Sequence, residues 1–352
     1  MVRTDSDTTR TITHAPLHEF TATVLRRTGL TPDHGTTVAD SLVDANLRGI
    51  DTHGVVRLEA YVSQLENGGM NPRPDLSVST TGSTGIVEAD DGPGHVATMR
   101  AMDTALELAA DLGSAFVGVR NSSHFGTASY FTNAAAEDGF VGIAMTHAAP
   151  NMVPFGGTEP FFGTNPLSIS LPGPEYPITL DMATTVAAYG NVVVAQEEDE
   201  TIPDTWAVDE TGAPTTDPDQ VHALQPVGGP KGYGLGLIID ALCGALMELH
   251  VAPEVESLYG DHSQPMELGH LVGAIDVEAF TTTGAFLERL ESMVATLHAM
   301  EPAEDVESVM VPGEPEVKTK RERLETGIPI GPGVWETLES LSETYDVPLE
   351  AQ

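Results

Sequence analysis

The chain has 352 residues, with 53 acidic against 15 basic side chains and a formal net charge of -38. That field repels nucleic acid and anionic membrane surfaces, which need a basic footprint, while 40% apolar residues exclude a disordered acidic chain. A single cysteine, Cys243, excludes an intramolecular disulfide and a cysteine metal cluster. No metal is expected. Twelve arginines against three lysines, with acids along the whole length, point to adaptation to high salt, where screening makes self-repulsion tolerable. No apolar run reaches the ~18 residues of a membrane span, and "MVRTDSDTTRTITHAP" lacks a signal core, so a cytoplasmic location is expected.

In chain order, residues 15–68 read as helices. "PLHEFTATVLRRTGL" and "TPDHGTTVADSLVDANLRGID" place apolar residues three and four apart, and Thr31-Pro32-Asp33 makes a helix start. "VVRLEAYVSQLENGG" is a third helix, closed by Gly68-Gly69. From residue 76 the texture changes: "GIVEAD", "AFVGVR", "FVGIAMTH", "LSISL" and "ITLDMA" are short, bounded runs that read as strands. "HVATMRAMDTALELAADLG" and "ASYFTNAAAEDG" read as helices between them. "AFLERLESMVATLHAM" and "PGVWETLESLSETYDV" return to helix, with "EPAEDVESVMVPGEPEVKTK" as a loop. The expected class is α/β. A helical domain of residues 1–75, with 296–352 packing back on it, stands beside an α/β domain of residues 76–295.

"GPGHVA" fits a phosphate-binding fingerprint, but "EADD" puts acids where a pyrophosphate would sit, so it reads as a helix start. "GYGLGL" has Leu237 at the third glycine position and no strand before it. In "GIDTHGVVRLEAY", a helix starting at Thr52 puts His53, Arg57 and Tyr61 on one face, where arginine grips a carboxylate and histidine moves a proton. The bland alternative is a capping threonine beside a solvated histidine. His124 follows a strand end and precedes a helix start, where ligands collect, and otherwise is a loop histidine. Asp181 ends an apolar strand, either against a histidine or arginine or as a cap for "TTVAAYG". Lys231 heads a helix among glycines. In a chain with three lysines, a cation left there suits an anionic ligand. Cys243 reads as a core residue.

Together "DTHGVVRLEAY", "NSSHFGTASYF", "VPFGGTEPFFGTNPLS", "LDMATT", "IPDTWAVDETGAPTTDP" and "GGPKGYGL" resemble the running motifs of the type-2 malate/L-lactate dehydrogenase family, from about residue 15 to 345. The resemblance implies a non-Rossmann, L-sulfolactate dehydrogenase-like fold. It also implies a homodimer or higher homo-oligomer and an NAD-dependent dehydrogenase, NADP being possible, that acts on a small 2-hydroxycarboxylate. It matches His124 to a proton-accepting histidine, and Thr52, His53 and Asp181 to a proton relay. Arg57 matches the arginine that holds the substrate carboxylate, with Tyr61 beside it. It puts cofactor contacts on His124, Phe125, Gly126, Thr127 and Ala128; on Thr164, Asn165 and Pro166; on Asp181, Met182 and Ala183; on Lys231; and on Gly313 and Glu314. His53 and His124 both remain open as the acid/base residue. A non-catalytic metabolite-binding protein on the same fold would have lost His53, His124 or Asp181, and all three are present. One stretch departs from the most similar branch: "THAAPNM" has Ala148 and Ala149 where that branch carries a polar Gln-Ser-Asp-Pro run.

Overall fold

A computed structural model describes residues 9–197 and 199–350. Strand β1 (Arg10–Ile12) leads into helices α1 (His14–Arg27) and α2 (Pro32–Leu47). Thr31 caps α2 by accepting from His34 N–H at 3.3 Å, with proline in the first turn. Two single turns, Asp51–His53 and Val55–Arg57, come before α3 (Leu58–Asn67). The helix expected to begin at Thr52 therefore begins at Leu58.

The body of the molecule follows. Its elements are β2 (Ser77–Thr81), β3 (Thr84–Glu88), α4 (Gly94–Leu112), β4 (Ser114–Ser122), α5 (Ala128–Glu137), β5 (Phe140–Thr146), β6 (Leu167–Leu171) and β7 (Ile178–Met182). After α6 (Tyr189–Glu197) come three two-residue strands, β8 (Ala207–Val208), β9 (Pro214–Thr215) and β10 (Ala223–Leu224). Then follow α7 (Pro230–Cys243), β11 (Leu268–Asp276), α8 (Thr283–His298), α9 (Glu314–Thr326), β12 (Ile328–Ile330) and α10 (Pro332–Tyr345).

The main sheet runs β2-β3-β4-β11-β5-β6-β7, with β3 and β4 parallel and the other neighbours antiparallel. Alternation along the strands supplies both faces with apolar side chains. Val117, Val119, Ala144, Val272 and Ala274 meet Ala97, Ala101 and Ala105 of α4, and Phe131 and Ala135 of α5. The small α4 side chains let that helix lie close to the sheet. On the opposite face Met145 and Leu271 meet Ile239 and Cys243 of α7. Cys243 is fully buried, as a core residue should be. The helical core gathers Leu17, Phe20, Leu42, Leu58 and Tyr61 with Trp335 and Leu338, and takes Val255, Leu258 and Met266 from residues 251–267. The two chain ends meet here, with Arg10 opposite Ile330 and Ile12 opposite Ile328.

Three expectations need correction. The central strand β11 was not foreseen as a strand. The stretch read as a loop becomes helix at Glu314: α9 carries no apolar stripe to reveal it, and instead has acids and a proline in its first turn. It also has a Lys318–Glu314 pair at 3.1 Å. A short strand, β10, does come before "GYGLGL". The start of α4 at Gly94 is a helix start whose first N–H is taken by Ser123 Oγ at 3.0 Å, and a Cβ there would stand 2.1 Å from the Ser123 carbonyl oxygen. Among the described residues no helix is long and apolar enough to cross a membrane, and no group of histidine, cysteine and carboxylate side chains could hold a metal ion.

Candidate active site

The jog between α2 and α3 builds one wall of the site. Asn46 of α2 accepts from Val55 N–H at 2.8 Å and donates to Asp51 at 2.6 Å, and Arg323 of α9 grips both oxygens of Asp51 at 2.7 and 3.0 Å. This bracing fixes the turn that carries Thr52, His53 and Arg57. Arg57 Nε donates to the Thr52 carbonyl at 2.7 Å, so the guanidinium is anchored to the same turn.

His124 enters from the end of β4. Its ring stacks on His53 with centroids 5.8 Å apart, and the Tyr61 hydroxyl lies 2.6 Å from His124 Nδ1. Gly126 N–H points at the same nitrogen from 3.4 Å. Thr52 Oγ1 lies 3.1 Å from His53 Nδ1. Two imidazoles, one guanidinium and one phenol thus meet, although the continuous helix expected to align them is absent.

Burial sets their protonation. It pushes His53 from the ordinary 6.5 down to about 4, with help from the positive charge of Arg57. It pushes His124 well below its usual range, helped by His53 and Arg57, and pushes the Tyr61 phenol up. At neutral pH both histidines are therefore neutral and able to accept a proton. Arg57 has no carboxylate partner among the described residues, in a chain with 53 acids. Tyr61, expected beside the substrate, is 1% exposed with its hydroxyl spent on His124. It holds the imidazole.

The expected relay to Asp181 does not form within this chain. Asp181 Oδ2 accepts from Ser129 N–H at 2.8 Å, which makes it the carboxylate at the N-terminus of α5 instead of a cap for "TTVAAYG". Solvent still reaches Asp181, but crowding by protein raises its pKa, an effect the Ser129 hydrogen bond opposes.

The segments expected to hold a cofactor form one continuous run beside β7. Residues 124–128 join it through the Ser129–Asp181 bond. Beyond Met182 and Ala183, Thr184 N–H donates to the Thr164 carbonyl at 2.8 Å, and Val227 N–H donates to the Thr184 carbonyl at 2.9 Å. That leads to Lys231 in the first turn of α7. On the other side Thr179 N–H donates to the Pro312 carbonyl at 3.0 Å, beside Gly313. Lys318 and Lys320 are paired with Glu314 and Asp44, whereas Lys231 is exposed and has no acid partner among the described residues. An unpaired cation at a helix N-terminus fits an anionic cofactor.

Some members of the run do not offer side chains to a ligand. Asn165 is fully buried, accepting from Ala148 N–H at 3.0 Å and donating to the Gly236 carbonyl at 2.9 Å. Glu314 is spent on Val311 N–H at 3.1 Å and on His298 at 2.8 Å. Phe125 is buried against His270, with centroids 4.8 Å apart. These residues shape the backbone.

Sequence reading missed four residues around the pair. Asn46 gave no signal inside its helix. His95 sits edge-on to Tyr61 at 5.3 Å, His270 lies 2.7 Å from Thr146 Oγ1, and Tyr259 accepts a hydrogen bond from Arg57 Nη1. Asn46, His270 and Tyr259 stand in no local pattern, and His95 lies in the run read only as a helix start; the fold brings them close. A separate cleft of about 620 Å³ opens between α1, α2 and α5, lined by His18, Asp40, Asp44, Arg48, Tyr130 and Lys320. Its charges pair among themselves, His18 with Asp40 at 2.8 Å and Arg48 with Asp44 at 2.6 Å, and neither site histidine lines it.

Comparison with known proteins identifies the family. The profile of the malate/L-lactate dehydrogenase family matches residues 12–339. The NAD(+) ureidoglycolate dehydrogenase of Escherichia coli (strain K12) is 40% identical over 329 residues, covering 93% of this chain and 94% of that protein. A malate dehydrogenase of Pyrococcus horikoshii is 35% identical over 342 residues, covering 94% of each. The solved structure of the sulfolactate dehydrogenase of Methanocaldococcus jannaschii superposes with a TM-score of 0.91 at 32% identity, covering 97% of this chain and 98% of that one. The chain belongs to the malate/L-lactate dehydrogenase family and is a dehydrogenase acting on a hydroxyl group.

Proposed function

We propose that the protein oxidises the 2-hydroxyl of (S)-ureidoglycolate, giving oxalurate, with NAD as cofactor. The observation that carries this reading is Arg57, with no acid partner among the described residues, beside the neutral imidazoles of His53 and His124. The 40% identity to an NAD(+) ureidoglycolate dehydrogenase supports the substrate and the cofactor.

In this reading Arg57 orients the carboxylate through its terminal nitrogens, a grip that favours arginine over lysine. His53 or His124 removes the hydroxyl proton. His53 has Thr52 to orient its ring, and His124 has Tyr61. Bound NAD supplies the acceptor for the hydrogen at C2. Lys231 and the backbone along β7, from Thr164 to Ala183 and at Gly313, would hold that cofactor. Asp181 acts on the proton path only indirectly, by fixing the start of α5 next to His124.

A second reading, oxidation of malate, lactate or sulfolactate, is favoured by one observation. Ala148 and Ala149 bring methyl groups to the end of β5, and Ala148 N–H is already committed to Asn165. A ureido group would find fewer partners there. We also assign a homodimer: α6 and α7 leave Val193, Val194, Leu235, Leu237 and Ile238 exposed, an apolar face that a second copy would cover.

Measuring kcat/KM for (S)-ureidoglycolate, L-malate, L-lactate and L-sulfolactate with NAD and NADP decides between the readings. We expect ureidoglycolate to lead, with about a three- to tenfold smaller margin for each missing neutral hydrogen bond. Turnover of malate or sulfolactate without ureidoglycolate would select the second reading.

A further inference from the structure

Residues 251–267 form a loop tied to the helical core. Val255, Leu258 and Met266 are buried in that core, His262 Nδ1 lies 2.6 Å from Ser63 Oγ, and Gly69 N–H donates to the His262 carbonyl at 3.0 Å. Between these anchors Tyr259 is 61% exposed. Burial therefore does not account for its position. Its hydroxyl accepts from Arg57 Nη1, and its ring centroid lies 5.3 Å from the guanidinium carbon.

The choice of partner is informative. Among the described residues the exposed Arg27, Arg73, Arg100 and Arg289 meet no carboxylate, but the half-buried Arg10, Arg26, Arg48, Arg120 and Arg323 each do, while the half-buried Arg57 meets only neutral oxygens, the Thr52 carbonyl and this phenol. A phenol holds the guanidinium in place without cancelling its charge. It also has a proton of its own, which an acceptor bond from Arg57 leaves unused.

We propose that Tyr259 is a specificity-determining residue that donates a hydrogen bond to the substrate carboxylate held by Arg57. On binding, the carboxylate takes the terminal nitrogens of Arg57, and the phenol turns from accepting to donating. The exposed ring keeps its place over the guanidinium and covers the carboxylate end of the site. This assignment rests on the proposed role of Arg57 in carboxylate binding.

The test uses Tyr259→Phe, which keeps the ring and removes only the hydroxyl, and Tyr259→Ala as a second variant. The full-length protein is assayed for kcat and KM on its best 2-hydroxy acid. Binding is measured by calorimetry with 2-hydroxy-2-methylpropanoate, which has no C2 hydrogen to lose, and with its amide. For Tyr259→Phe we expect KM and the Kd for the acid to rise about tenfold or more, as for a lost hydrogen bond to a charged group. Its kcat should stay within about threefold, the Kd for the amide should not change, and so the preference for acid over amide should shrink. Tyr259→Ala should lose at least as much affinity. An unchanged Kd for the acid in Tyr259→Phe, or equal losses for acid and amide, overturns the assignment. So does a wild-type protein that fails to bind the acid. If the wild type binds the acid but oxidises none of the 2-hydroxy acids offered, the proposed reaction fails while the Tyr259 assignment is still decided by the two Kd values.

Discussion

The histidine end and the lysine end of the site treat charge in opposite ways. At the first, His53, His95, His124 and His270 are all driven neutral by burial, and Arg57 is left as the local charge. At the second, Lys231 stands in solvent at a helix start. The difference suits two tasks. A proton acceptor must be uncharged before it acts, and desolvation ensures that whatever the net charge of the surface. A cation meant to draw an anion into a chain of charge -38 must stay exposed. The first end should therefore respond to pH and little to salt, and the second to salt and little to pH.

The largest effect should come from removing the acid/base residue. Of His53→Ala and His124→Ala, at least one should lose about a hundredfold or more in kcat. His95→Ala and His270→Ala should instead cost about 2–4 kcal/mol of stability, as truncating a buried large side chain does, with a smaller loss of rate. Equal losses of rate at all four positions would erase the distinction between His53 and His124 on one hand and His95 and His270 on the other.

At the other end, Lys231→Ala should raise the cofactor Kd about tenfold or more and flatten its dependence on salt. An unchanged Kd at constant salt would return Lys231 to the status of a solvated lysine.

A titration sharpens the contrast. His53 is lowered to about 4, and His95 and His270 to about 3, from an ordinary 6.5. Below 6.5 the unfolded chain binds protons on these rings that the folded chain refuses. Their contribution to stability is therefore full above that pH and is lost as pH falls toward the folded values. Melting curves in molar salt should show a Tm that drops from pH 6.5 toward 4, and His270→Phe should drop less. Parallel curves would mean that His270 does not carry the slope.

The smallest effect concerns the whole surface: Tm should climb by a few degrees between low and molar salt as screening relieves carboxylate repulsion. A flat or falling Tm would remove the high-salt reading.

How much of this was legible depends on whether the signal was local. Helices α1, α2, α4, α5 and α10 show their apolar spacing, and strands β3 to β7 are bounded apolar runs, so both could be read directly. Strand β11 was not. Gly269 and Gly273 interrupt it, and a Cβ at Gly269 would stand 1.8 Å from the Cys243 carbonyl oxygen, so the glycine that packing demands weakens the strand signal. In the site, His53, Arg57, His124 and Lys231 could be named because each stands in a short motif. Tyr259 and His270 could not, since their neighbours come from residues far away in the chain. Asp181 was read as facing a histidine or arginine or as a cap for the helix after it, and it instead accepts from Ser129 at the start of α5: a carboxylate after a strand is equally ready to cap any helix start the fold brings within reach.

The position of β11 also bears on how the chain is made. It lies between β4 and β5, which are close in sequence, yet it is synthesised only after β6, β7 and α7. Until residue 276 has left the ribosome the seven-stranded sheet cannot be complete, because β2-β3-β4 and β5-β6-β7 lack the strand that joins them, and any part that forms early has an open edge where β11 will pair. Such edges invite pairing with other chains. Long-range insertion of this kind slows folding. An open edge at that stage would let aggregation compete with completion, and the repulsion of the many carboxylates would help to keep neighbouring copies apart.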